Sequence, residues 1–225
     1  MNFSPTAIVP AEPYEFTLTP SACALLIIDM QRDFLEPGGF GEALGNDVSF
    51  LRRTIVPNER LLAAWRQRGM TVMHTREGHR PDLSDLPAAK LGRGRSLLRI
   101  GDVGPMGRLL VRGEPGHAII SQLSPAFDEV VIDKPGKGAF WATDLHDELQ
   151  RRQIRQLVIT GVTTEVCVHT TLREANDRGY ECLVPADCVG SYFPELHLSA
   201  LAMIKAQDGI FGWVSDSNKI LTALG

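Results

Sequence analysis

Three side chains of the kinds that acyl transfer uses each follow an apolar run in this chain. Asp29 closes the run Ala22 to Ile28, Lys134 closes Glu129 to Lys134, and Cys167 lies beyond Leu157 to Thr160. A thiol, a carboxylate and an ammonium can serve as nucleophile, proton-transfer base and compensating charge for a covalent route through an S-acyl intermediate. Cys167 is the sharpest of the three. It stands where a strand passes through the Gly161 turn into a helix, and the unpaired N–H groups of a helix start favour a nearby thiolate. A buried, inert cysteine is the competing reading of the same residue. Position favours the nucleophile, because ligands of open α/β sheets gather beyond the carboxyl ends of strands.

These residues must be held by elements that the pattern also supplies. The run Ala22 to Ile28 is continuously apolar, as expected of a strand buried on both faces of a parallel sheet. A helix is predicted from Pro57, carrying Leu61, Leu62 and Trp65 inward and ending at Gly69, with the next strand over Thr71 to Thr75. After the Lys134 strand come a helix around Thr143 to Arg152, the strand before Cys167, a helix to Gly179 and a strand over Tyr180 to Val184. A helix over Glu195 to Ala206, a short strand over Ile210 to Val214 and a closing helix complete the chain. Strand and helix alternate throughout. The predicted fold class is therefore α/β, a doubly wound and mostly parallel central sheet with helices on both faces, in one domain over residues 1–225.

Two segments fall outside this rhythm. Residues 1–20 hold four prolines and read as an extended N-terminal arm that would lie across a neighbour in an oligomer. Residues 78–117 hold eight Gly, four Pro and six Arg without a sustained period, and read as a long loop, a lid or an oligomer contact. Its arginines Arg93, Arg95, Arg99, Arg108 and Arg112 read as a solvated face. The glycines at 38, 39 and 41, after Phe34, form a loop suited to lining a pocket.

Composition removes several classes of function. A net charge of −4 argues against nucleic acid and anionic membrane, which need a basic footprint. The apolar run at 22–28 is far too short to span a bilayer, so a cytoplasmic location without membrane contact is expected. Cys23, Cys167, Cys182 and Cys188 form no CxxC pair, and disulfides are not expected. No GxGxxG or GxxxxGK[ST] follows a strand, which counts against nucleotide binding. The histidines show no HxH or HExxH spacing, so no metal and no other cofactor is expected. His169 is two residues from Cys167, about 200° around a helix, and is rejected as its base.

Three motifs carry a resemblance beyond pattern: Ile28-Asp29-Met30-Gln31 with Asp33-Phe34, Lys134 with Ala139-Phe140 and Thr143-Asp144-Leu145, and Gly161-Val162-Thr163-Thr164-Glu165-Val166-Cys167-Val168. They span nearly the whole chain. The sequence resembles the isochorismatase-like cysteine hydrolases. Within them, His74 to Asp82, Arg112 to Gly116, Ile132 to Gly138 and Arg173 to Cys182 look like the biuret and triuret hydrolase branch.

The resemblance implies a triad of Asp29, Lys134 and Cys167, and a non-proline cis peptide at Val162-Thr163 that turns the backbone N–H groups of Thr163 and Cys167 toward one oxyanion. It also implies that Gln207 and Phe34 contact the substrate. The Asp-x-His metal motif of nicotinamidases is missing where this chain has Thr75 to His79. The substrate class implied is a small linear ureide, triuret cleaved to carboxybiuret and ammonia or biuret cleaved to allophanate and ammonia. The loop Glu36 to Asp47 departs from the biuret hydrolase pattern and tilts the choice toward triuret. A ureidoacrylate-type amidohydrolase or a nicotinamidase is the alternative among enzymes, and an inactive oligomerisation module the alternative from another class. A homo-oligomer, dimer or tetramer, is the expected assembly.

Overall fold

The computed structural model describes residues 6–92 and 98–225. Its centre is a parallel sheet built from β3 (Cys23–Ile28), β4 (Thr71–Glu77), β5 (Val130–Lys134), β6 (Gln156–Val162), β7 (Glu181–Pro185) and β8 (Trp213–Ser215). The spatial order is β8-β7-β6-β3-β4-β5, and the two-residue strand Val189–Gly190 pairs with the end of β6, bringing the total to seven among the described residues. The chain winds outward from β3 through β4 to β5, returns to the other side of β3, and winds outward again through β6, β7 and β8. The reversal lies between β3 and β6, and a ligand crevice forms at such a switch point.

All six residues of β3 are buried, and alternation divides them between two cores. Leu25 and Ile27 join Leu61, Leu62 and Trp65 of helix α1 (Ile55–Gln67) and Ile220 of the closing helix Ser217–Leu224. Ala24, Leu26 and Ile28 join Leu145 and Leu149 of helix α2 (Leu145–Arg151), Leu172 and Ala175 of helix α3 (His169–Asp177), and Leu201 and Ile204 of helix α4 (Pro194–Gly209). The continuous apolar run thus reflects helices on both faces. Among the described residues, no helix is long and apolar enough to cross a membrane.

The N-terminal segment is not an extended arm. Its described part pairs β1 (Ala7–Val9) antiparallel with β2 (Phe16–Leu18), burying Ala7, Val9, Phe16 and Leu18, while Glu12 bridges to Val214. Alternating apolar residues on both sides of the Pro-containing turn supply a face to bury, so the segment folds onto its own sheet. The arginines of the 78–117 segment also differ from the expectation. Arg108 donates to the carbonyls of Gly101 and Pro81, and Arg112 donates to the Gly78 carbonyl and pairs with Asp85 at 3.4 Å. They hold loop backbone together. The backbone N–H of Arg99 binds Asp102, and Arg93 and Arg95 lie outside the described residues.

Candidate active site

Asp29 takes the first position after β3 with a φ of 48°, the left-handed region, and its side chain is fully buried. Its Oδ1 accepts the Thr75 hydroxyl at 2.6 Å, and its Oδ2 lies 2.7 Å from Lys134 Nζ. The ammonium donates to the carbonyls of Gly136 and Lys137, at 3.0 and 2.9 Å, so the Pro135 to Lys137 turn aims it across the sheet end. Gly161 closes the arrangement on the β6 side. Its φ is +100°, and a Cβ there would sit 2.0 Å from the Ile28 carbonyl, so glycine lets β6 approach β3 where the two active ends meet.

Beyond β6 the chain passes the cis Val162-Thr163 peptide and enters a π-helical turn, Thr164–Val168, that leads into α3. Cys167 sits inside this turn, buried, with Sγ hydrogen-bonded to Glu77 Oε2 at 3.4 Å. Asp29, Glu77 and Cys167 each bring one polar atom to within 4.8 Å of the others. The three predicted triad residues therefore converge. Three such donors could also hold a metal ion, but Lys134 Nζ, 2.7 Å from Asp29 and 3.8 Å from Glu77, already supplies a fixed positive charge there.

Glu77 is the residue that sequence reasoning missed. The strand predicted to end at Thr75 runs two residues further, because Arg76 pairs with Asp133 across β4 and β5, and Glu77 faces Lys134 in register. Glu77 is fully buried among three lysines. Its Oε1 receives Lys137 at 2.8 Å and Lys90 at 2.9 Å, and Lys90 also reaches the Pro135 carbonyl and His79 Nε2. Because a lysine donates at Nε2, His79 accepts there and donates from Nδ1 to Asp85 at 3.2 Å. Lys90 brings the 78–117 segment, to which no site was assigned from sequence, into the site.

Electrostatics separates these groups. Burial raises the Asp29 carboxyl, Lys134 counters only part of that, and the Glu77 anion adds to it. Burial acts on Glu77 the same way, yet Lys134, Lys137 and Lys90 together hold it well below the usual carboxylate range. Burial opposes the charge of Lys134, but Asp29, Cys167 and Glu77 outweigh it and keep the ammonium protonated. The Cys167 thiol is pushed well up, by burial first, with Lys134 pulling it down and Asp29 and Glu77 pushing it up again. This corrects the expectation of an easily formed thiolate: the resting group is a thiol and needs a base. Three lysines face two carboxylates, so the cluster gains balance when a thiolate or oxyanion forms.

A cavity of about 210 Å³ opens beside the sulfur, with Phe34, Phe40, Gly41, Lys137, Thr163 and Tyr192 in its wall. Phe34 thus lines the same cavity as the Cys167 sulfur. Gly41 gives the room: a Cβ would meet the Tyr192 hydroxyl at 2.1 Å. Gln207 is not brought to this cavity. It lies at the break in α4, with a φ of 51°, exposed. His169 packs its ring edge-on against Phe211, away from the thiol chemistry.

Comparison with known proteins identifies the family. The isochorismatase domain matches residues 23–219, and the chain belongs to that family. A ureidoacrylate amidohydrolase RutB from Methylobacterium radiotolerans is 33% identical over 223 residues, covering 97% of this chain and 85% of that protein. The protein of the same name from Klebsiella pneumoniae is 32% identical, covering 96% and 92%. Among solved structures, an isochorismatase family protein from Desulfovibrio vulgaris superposes with a TM-score of 0.73 at 28% identity, covering 90% of this chain and 98% of that one. A cysteine hydrolase from Pseudomonas syringae shares the fold, with a TM-score of 0.77 at 24% identity and coverage of 98% and 97%. The relatives named here do not carry a biuret or triuret hydrolase name.

Proposed function

We propose that this isochorismatase-family chain is a cysteine amidohydrolase that releases ammonia from the terminal carbamoyl group of a small linear ureide. The observation that carries this is the buried Asp29, Lys134 and Cys167 cluster at the switch point, opening onto a small cavity. Asp29 takes the thiol proton, and the sulfur attacks the carbamoyl carbon. The oxyanion is received by the backbone N–H groups of Thr163 and Cys167. The C–N bond breaks as Asp29 returns the proton to the departing nitrogen, giving ammonia and the S-acyl enzyme. A water then gives its proton to Asp29 while its oxygen attacks the acyl carbon. The C–S bond breaks, the sulfur recovers the proton from Asp29, and the acid leaves. Lys134 stays charged throughout and compensates whichever anion is present.

Among ureides, the branch motifs fit triuret and biuret alike, and the Glu36 to Asp47 loop tilts the choice toward triuret, cleaved to carboxybiuret, with biuret cleaved to allophanate next. A ureidoacrylate-type substrate is the second reading, supported by the names of relatives at 32% and 33% identity. Ammonia release from triuret, biuret and ureidoacrylate, by the wild type and by Cys167→Ala, tests the proposal. Turnover of at least one ureide, lost in the Ala variant, is expected, and ammonia from the Ala variant would exclude covalent catalysis by this residue.

A further inference from the structure

The cavity beside Cys167 contains a second acidic residue that the reaction does not use. Glu165 stands two residues before the nucleophile, in the first turn of the π-helical segment, and lines the same cavity. One of its carboxyl oxygens is buried and receives no hydrogen bond from the described residues. A buried acceptor left without a donor is costly, so such a group in a binding cavity points to a ligand that supplies one.

Neighbouring donors in the wall each make a bond to another group of the protein. The Tyr192 hydroxyl donates to the Phe34 carbonyl at 2.9 Å, the Asn46 amide donates to the Gly41 carbonyl at 3.1 Å, and Lys137 is held by Glu77 at 2.8 Å. Burial raises the Tyr192 phenol first, and the carboxylates of Asp33 and Glu165 with the Cys167 sulfur raise it further, so the hydroxyl stays protonated and does not become a further anion. What this part of the cavity offers a ligand is a carboxylate acceptor.

Resting on the ureide reading above, we infer that Glu165 selects the distal end of the substrate, accepting an N–H from a neutral ureide and rejecting a ureide that ends in a carboxylate. The two ends of triuret or biuret both carry N–H donors. A ureide acid places an anion where Glu165 already supplies one, and the Lys137 ammonium in the same wall is paired with the Glu77 carboxylate at 2.8 Å. Specificity built this way comes from repulsion as much as from attraction.

The test compares kcat/KM for triuret and biuret with that for a ureide acid, 3-ureidopropionate, in the wild type and in Glu165→Gln. The wild type is expected to favour the neutral ureides. The isosteric Gln variant is expected to narrow that preference by about 10- to 100-fold, mainly through KM, because it loses the charge at the acceptor. Cys167 alkylation at unchanged rate shows that the variant site is intact. An unchanged preference in Glu165→Gln, or a wild type that favours the ureide acid, overturns the assignment and leaves the amidohydrolase reading standing. Ammonia from neither class overturns that reading, and this assignment with it.

Discussion

The ends of β3 and β4 present the same chemical group in the same parallel sheet, yet the two carboxylates are driven apart. Asp29 and Glu77 are both fully buried, and both lie within 4 Å of Lys134. Asp29 has that one ammonium and is raised; Glu77 has Lys90 and Lys137 as well and is lowered. The number of cations per carboxylate decides which one can exchange a proton. When environments push two neighbouring acids apart, the higher one is the acid–base and the lower one a fixed charge. The resting thiol points its hydrogen bond at Glu77, but the proton it gives up belongs on Asp29.

The comparison breaks most visibly in Asp29→Asn. It is expected to lower kcat by about 10³-fold, the range for losing a general base, and a kinetic assay with excess ureide reads it. Comparable activity would move the base elsewhere. Glu77→Gln acts first on stability. Removing the anion leaves the buried Lys134, the half-buried Lys90 and the more exposed Lys137 facing each other, and breaking such a network costs about 3 to 5 kcal/mol, measured as a shift in denaturant midpoint at neutral pH. Because the folded-state Glu77 is lowered, its contribution is present above the ordinary glutamate range and is lost as pH falls through the folded value. The Gln variant is therefore expected to lose less stability on acidification than the wild type.

A smaller effect sharpens the same contrast. Glu77 raises the Cys167 thiol and Lys134 lowers it, so the pH midpoint of Cys167 alkylation is expected to fall in Glu77→Gln and to rise in Lys134→Met. Shifts of the same sign in both variants would separate the thiol from this cluster.

The convergence of Asp29, Lys134 and Cys167 was legible because each follows an apolar run, and strand ends at one edge of a parallel sheet converge. Both faces of β3 being buried was legible for the same reason. Glu77 was not, since it lies beyond the expected strand end at Thr75; the Arg76–Asp133 pair and the lysines around Glu77 let the strand continue. Lys90 was hidden more deeply. Its reach into the site depends on how the aperiodic segment folds back, with His79 and Val111 bridging its two ends. The N-terminal hairpin was masked by its prolines, although the apolar alternation at Ala7, Val9, Phe16 and Leu18 was present. Gln207 rested on the family resemblance alone, and at the break in α4 it is exposed.

The division of labour between the two carboxylates is tested most directly by the acid limb of kcat/KM against pH. With Asp29 as base, that limb lies above the ordinary carboxylate range in the wild type. In Glu77→Gln it is expected to move to lower pH while turnover persists, because an anion that raises Asp29 has gone. A limb that stays in place, or loss of turnover in Glu77→Gln with Asp29→Asn still active, would make Glu77 the base and contradict the account.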